Sequence, residues 1–344
     1  MPDPSRAWKE IIPEGEDAHL EHLAEQLRDL QRKRARAHSS GGKPRPRALH
    51  AKGQVPLEAE LTVLPDLPGH ARVGLFAEPR TFRACVRFSN GGGLRLPDTK
   101  PDVRGLAIKV LDVPGEKILP GLEKATTQDF LLIGSPATPF RNADEFVWLV
   151  LAAANPALLL PRALLHFGPA RTFGLLGKLS KGLSKPITSL ATSRYFSAVP
   201  IAYGPYAAKY ALTPKTEPEA GARARTSPEY LSEELTERLA KGPVAYDFGI
   251  QFFVDEQRTP IEDASVEWTT ADAPLLTVAR LTLPQQDLTS TAARETAERI
   301  EKMSFDPWHA TADFRPLGNM MRARRAAYRL SSIERNASPE PGTG

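Results

Sequence analysis

The sequence predicts an α+β fold: a closed antiparallel β-barrel of about eight strands with helices packed around it. Three observations lead there. Short segments of alternating apolar and polar residues recur from Ala48 onward. The Gly- and Pro-rich connections between most of them are too short for parallel crossovers. Seven or eight such strands could not leave two sheet edges open without inviting association, and closure removes the edges.

The elements follow in chain order. Residues 16 to 37 carry Leu20, Leu23, Leu27 and Leu30 at helical spacing among charged residues, giving an amphipathic helix that packs across a neighbour. Ser39 to Arg47 is a basic Gly/Pro connector, better read as a solvated linker than as a nucleic-acid site because no aromatics are interleaved. Residues 1–45 therefore form a helix-and-linker unit, residues 46–336 the main domain, and residues 337–344 a disordered tail. Strands are expected over 57 to 64, 82 to 89, 105 to 111 and 130 to 133. A helical insertion near 142–184 follows. Its stretch from Phe146 to Leu165 is long enough to cross a membrane, but Asn155, Pro156, Pro161 and Arg162 divide it. Two short buried helices covering the barrel are expected, in preference to a transmembrane span or a lipid channel. Strands resume at 206 to 212, 246 to 254 and 276 to 283, separated by a helix at 227 to 239. A helix at 288 to 303, a turn at Phe305–Trp308 and a helix at 319 to 335 complete the chain.

With 344 residues, 41% hydrophobic and 25% charged, the chain can bury a substantial core. Net charge is +4 and the pI about 9.1, with much of the excess in residues 32 to 47 and 315 to 335. The molecule as a whole is thus not patterned as a polyanion binder. The sole cysteine, Cys85, excludes an intramolecular disulfide and a Cys-based zinc cluster, which together with the lack of an apolar leader points to a cytoplasmic setting.

On the last helix Arg324 and Tyr328 stand one turn apart and Arg335 returns to the same face. A guanidinium against a phenol favours the phenolate, a hard anionic ligand for ferric iron; alone, the pair equally suits a basic surface helix. In Arg47-Ala-Leu-His50-Ala-Lys-Gly53 the histidine sits among apolar neighbours, where most histidines are satisfied core residues. Val86-Arg87-Phe88-Ser89 and Pro101-Asp-Val-Arg104-Gly105-Leu-Ala-Ile-Lys109 each put a cation on a strand, and such a cation needs an anion. For Arg104 and Lys109, salt bridges within the protein are a reasonable source.

His-Ala-Lys-Gly, Arg-Phe-Ser, Asp-x-Arg-Gly-x-Ala-x-Lys and Arg-x-x-x-Tyr, in this order, resemble the haem catalase superfamily, and in particular its small catalase-related branch of haem peroxidases and hydroperoxidases. The similarity covers roughly residues 45 to 335 and implies a catalase-like haem fold without the C-terminal extension of the large enzymes. It implies haem b with ferric iron as cofactor, Tyr328 as its ligand and Arg324 as the residue holding the phenolate. By the same resemblance His50 is the distal base, Ser89 the hydroxyl orienting it, and Arg47, Arg87 and Arg335 the partners of the haem propionates. The activity implied is a haem-dependent peroxidase that reduces hydrogen peroxide or organic hydroperoxides through a ferryl intermediate at the expense of an electron donor, with weak catalase activity.

Two departures stand out. The distal asparagine of the large catalases aligns with Thr127, which loses an amide that positions hydrogen peroxide, and the aspartate after the proximal tyrosine is Leu330. Alternatives are a non-catalytic haem sensor or storage protein and a fatty-acid hydroperoxide dehydratase or isomerase. No nucleic-acid partner is expected, homo-oligomerisation is left open, and Arg322, Arg325 and Arg329 are expected to face solvent.

Overall fold

In the computed structural model, described for residues 4–38, 47–183, 187–217 and 226–342, the chain runs α1 (Glu16–His38), β1 (Leu57–Val63), β2 (Thr81–Asn90), β3 (Arg104–Leu111), β4 (Thr127–Ile133), α2 (Ala143–Ala152), α3 (Pro156–Leu183), β5 (Tyr195–Phe196), β6 (Ile201–Tyr203), β7 (Tyr206–Pro214), α4 (Tyr230–Lys241), β8 (Val244–Phe252), β9 (Leu276–Leu283), α5 (Thr291–Lys302) and α6 (Asn319–Glu334). Of the expected connector Ser39 to Arg47, only Arg47 lies within the described residues.

Eight strands close the expected barrel in the order β1-β2-β3-β4-β5-β7-β8-β9 and back to β1, every pair antiparallel. β5 makes the closure, with Phe196 pairing Ile133 on one side and Ala211 on the other. β6 is a ninth strand, hairpinned onto the remaining edge of β7. The barrel interior is filled by the alternating positions Ala84, Val86 and Phe88 of β2, Leu106, Ile108 and Val110 of β3, and Phe130 and Leu132 of β4. An aromatic cluster of Phe76, Phe130, Phe248 and Phe314, with ring centroids 5.1 to 6.3 Å apart, occupies the centre. Because strand side chains alternate, Cys85, Arg87 and Ser89, Gly105, Ala107 and Lys109, and Thr127, Asp129 and Leu131 share the other face of the wall. The chemistry lies there.

That face is covered from the C-terminal side. The end of α5 packs Ile300 and Met303, with Phe305, against Cys85, Ala107 and Leu131. α6 follows, and α1 packs along it, tied by Arg329 to Glu21 at 3.1 Å and by Arg32 to Glu334. The amphipathic α1 has thus found its neighbour and is part of the main body.

Three expectations change. Arg322 does not face solvent: it is buried and gripped by Glu10, Glu16 and Glu262 at 2.5 to 3.0 Å, because α1 and the segment before it close over α6. The tail is ordered as far as Gly342, since the Glu340 carboxylate reaches the buried Lys109 ammonium and Ser338 donates its backbone N–H to Lys302 O at 2.9 Å. The insertion breaks after Ala152 and again at Gly168, not at Pro161. α3 runs through Pro161 with one hydrogen bond lost and turns at Gly168, whose φ of +74° costs glycine no Cβ clash. Nor is it buried throughout: Leu165 is 88% and Phe173 61% exposed.

Candidate active site

The face between β2, β3 and α6 gathers His50, Ser89, Arg47, Arg87, Arg335, Arg324 and Tyr328. His50 precedes β1 in a left-handed backbone conformation, φ +54°, which a non-glycine residue adopts only when its surroundings hold it. They do: its N–H donates to Gly91 O at 3.1 Å and its carbonyl accepts from Arg87 Nη2 at 3.1 Å. Its Nδ1 lies 2.9 Å from Ser89 Oγ. Ser89 pairs across β3 with Gly105, where a Cβ would lie 2.7 Å from the imidazole. The glycine of the Asp-x-Arg-Gly motif is what leaves room for the ring. Burial, then the charges of Arg87, Arg324 and Arg47, push the imidazole down to about 3, so it is neutral at physiological pH with Nε2 free of the serine contact.

Arg47, Arg87 and Arg335 converge on the C-terminus of α5. Arg87 Nε and Nη2 donate to the Glu301 carboxylate at 2.8 and 3.0 Å, and Arg47 Nη1 donates to it at 3.1 Å. Arg47 and Arg335 both donate to Met303 O, at 3.0 and 2.6 Å. Gly53 makes the approach possible, since a Cβ there would lie 2.9 Å from both Arg87 Nη2 and Glu301 Oε2. Among the described residues Glu301 is the carboxylate that Arg47 and Arg87 share, while Arg335 donates to backbone carbonyls, so three guanidiniums stand against one carboxylate and two positive charges are left over. Their electrostatics carry the mark. Burial pulls Arg47 well below its ordinary range, with Arg87 and Arg335 adding like-charge repulsion; burial brings Arg335 down to about 10. Burial works against Glu301, yet Arg87, Arg47 and Arg335 hold its carboxyl below the usual value.

On α6, Arg324 Nη2 donates to Tyr328 Oη at 2.8 Å, and its guanidinium carbon stands 5.0 Å from the tyrosine ring centroid. Burial opposes the Arg324 charge, but Tyr328 raises it above its ordinary value. Helix and barrel wall are close enough that Arg324 acts on His50 and Tyr328 on Arg47.

Thr127 is not with them. Gly105, beside His50, is in register with Ile133, whereas Thr127 pairs with Leu111 at the other end of β4, six residues or roughly 20 Å along the strand. There its hydroxyl donates to Glu340 at 2.5 Å. The β4 side chain in register beside the imidazole is the apolar Ile133. Sequence reasoning also missed Glu301. The sole hint was an acid three turns into an otherwise charged helix whose partners are distant in sequence.

These residues fit a haem. A surplus of two positive charges on buried and half-buried guanidiniums matches two propionates, and a phenol hydrogen-bonded by a half-buried guanidinium is a donor suited to ferric iron. A different cluster, Asp129, His309 and Glu340, has ligand atoms within 4.8 Å of one another. Its cation is already present: Lys109 Nζ donates to both Asp129 oxygens at 2.8 and 2.9 Å and also reaches Glu340.

No family profile matches the chain. It is 29% identical over 323 residues to a catalase-related peroxidase of Mycolicibacterium paratuberculosis (strain ATCC BAA-968 / K-10), a match covering 88% of this chain and 95% of the relative. Among solved structures it superposes on a bacterial catalase (TM-score 0.64, 18% identity), on a fungal catalase (0.61, 17%) and on catalase A from Saccharomyces cerevisiae (0.66, 15%). These superpositions cover 91%, 92% and 88% of this chain, which spans 60%, 65% and 63% of those longer proteins. The fold is that of the catalases, and the resemblance read from the motifs agrees with both comparisons.

Proposed function

We infer that the chain is an oxidoreductase of the haem catalase superfamily, a catalase-related haem peroxidase that reduces organic hydroperoxides in preference to hydrogen peroxide. The observation that carries the reading is the trio Arg47, Arg87 and Arg335 with a single carboxylate, Glu301, among them, next to a neutral His50 and facing the Arg324–Tyr328 pair. Arg47, Arg87 and Arg335 would hold the propionates of a b-type haem and Tyr328 its iron, with Arg324 donating a hydrogen bond to the phenol oxygen. Bound there, the haem supplies the redox chemistry that cleaves an O–O bond, and an external donor restores its electrons.

The protein's own part is proton movement and selection. With Nδ1–H donated to Ser89 Oγ, the His50 imidazole presents Nε2 as a base. Nε2 takes the hydroperoxide proton and returns it to the departing oxygen, releasing an alcohol or water. The depressed basicity of His50 keeps it unprotonated before substrate arrives, which is the state a base must be in. Selection follows from Ile133: where an amide would give a small peroxide a second donor, an apolar side chain favours the organic part of a larger hydroperoxide.

Turnover of hydrogen peroxide, cumene hydroperoxide and a fatty-acid hydroperoxide by the haem-loaded protein, each with a reducing donor, tests this. The organic substrates are expected to turn over faster, and His50→Ala to lower turnover by about 10²-fold or more with the haem spectrum retained. Unchanged turnover in His50→Ala would instead identify a haem carrier without enzymatic use of this histidine.

A further inference from the structure

The insertion formed by α2 and α3 has an outer face that the peroxidase reading does not use. The two halves of α3 meet at Gly168 and are pinned there by Thr172, whose hydroxyl donates to Ala163 O at 2.9 Å. Inward, Leu175, with Leu159 and Leu179, packs on Phe140, Phe146 and Trp148, and His166 stacks on the Trp148 ring at 4.7 Å. Outward, the same helices present Leu158 (43% exposed), Leu160 (45%), Leu165 (88%) and Phe173 (61%). These are four of the nine large apolar side chains most exposed among the described residues, and all lie on one helical element. A concentration of this kind marks a contact surface.

Charge says which kind. From Phe146 to Thr216 the sequence contains no aspartate or glutamate, while Arg162, Arg171, Lys178, Lys181 and Lys185 fall on and just after α3. Arg171 is occupied by Glu145, the last acid before the stretch, and Lys178 by Ser265 O at 3.0 Å, whereas Arg162 is exposed on the same helical face as Leu158 and Leu165. Exposed apolar side chains flanking a cation, with acids excluded over such a length of sequence, complement an anionic lipid surface. No helix among the described residues is long and apolar enough to cross a membrane, so the face would lie on a bilayer and not span it.

We propose that the outer face of α3, with Leu158, Leu165 and Phe173 as anchors and Arg162, one turn from Leu158, as a headgroup contact, docks the protein on anionic membrane surfaces. The proposal stands on this surface alone and does not depend on the haem reading. Flotation of the full chain with vesicles tests it, comparing phosphatidylcholine alone with phosphatidylcholine containing about a third phosphatidylglycerol. Wild-type protein is expected to float with the anionic vesicles, more weakly as salt rises, and to ignore the neutral ones. Leu165→Asp/Phe173→Asp is expected to lose at least about tenfold in vesicle affinity, and Arg162→Glu about fivefold. Circular dichroism and the thermal midpoint are expected to be unchanged in both variants, because the substituted side chains already face water. No flotation of the wild type, or equal flotation of Leu165→Asp/Phe173→Asp, overturns the proposal. So does a light-scattering mass showing that this double substitution merely splits a dimer, since the face would then be covered by a second copy.

Discussion

Two basic clusters share the same wall of the barrel, one buried and one half-buried, and they are built to opposite charge balances. At one, Lys109 sits wholly inside the protein with Asp129 and Glu340 around its ammonium and His309 3.3 Å away. At the other, Arg47 and Arg87 share Glu301, and Arg335 beside them leans on backbone carbonyls. The first is closed by the chain's own acids and fastens the C-terminal tail. The second keeps two positive charges in excess, which a protein tolerates at a cost unless an anionic ligand completes the set. The same motif strand, β3, carries Lys109 and the glycine that makes room for His50, so a buried cation by itself distinguishes neither role. Its count of acids does.

Removing the cation from the closed cluster should have the largest effect. Lys109→Met leaves two buried carboxylates, Asp129 and Glu340, with His309 as their one remaining cationic partner and is expected to destabilise the fold by about 3–5 kcal/mol in denaturant titrations. Arg335→Met in the haem-free protein should cost less than about 1 kcal/mol, because it also relieves repulsion with Arg87 and Arg47. Equal losses at the two sites would erase the distinction.

Haem affinity sharpens it from the other side. Arg47→Gln is expected to weaken haem binding by about tenfold to a hundredfold, the worth of one charge-assisted hydrogen bond to a propionate. Glu301→Gln should act in the opposite sense and tighten it, since it removes the carboxylate that competes for Arg87 and Arg47. Weaker haem binding in Glu301→Gln would mean that this carboxylate pre-organises the arginines and does not compete with the ligand.

Smallest is the titration of His50 in the haem-free protein. Its folded value, about 3, lies below its unfolded one, so the unfolded chain binds more protons between the two. Stability contributed by the neutral ring is present above about 6.5 and is lost as pH falls toward 3. The ring resonances should therefore show no protonation at pH 5, and a midpoint near 6.5 would contradict the burial and arginine effects described.

Much of this was legible in the sequence, because it rests on local pattern. The seven longer strands and the helix at 319 to 335 follow from periodicity and breakers, and four short motifs brought out His50, Ser89, Gly105 and the arginines. What escaped depends on distant partners. β5 closes the barrel with two residues, too few for any alternation to register. Glu301 looked like one more charge on the polar face of α5, and only the fold brings it to Arg87, 214 positions away. Arg322 likewise reads as a solvent-facing residue and Glu340 as part of a disordered tail until α1 covers the one and Lys109 captures the other. Thr127 was placed by alignment to an asparagine, and register carries it to the far end of β4.

The central claim is that Tyr328, supported by Arg324, is the iron ligand of a haem held by the arginine cluster. Titrating haem into wild-type protein and Tyr328→Phe tests it most directly. The wild type should bind one haem with a Soret band and tyrosinate-type charge-transfer bands. Tyr328→Phe should lose those bands and at least about tenfold in affinity, while keeping its fold. Full affinity and an unchanged spectrum in Tyr328→Phe would contradict the assignment.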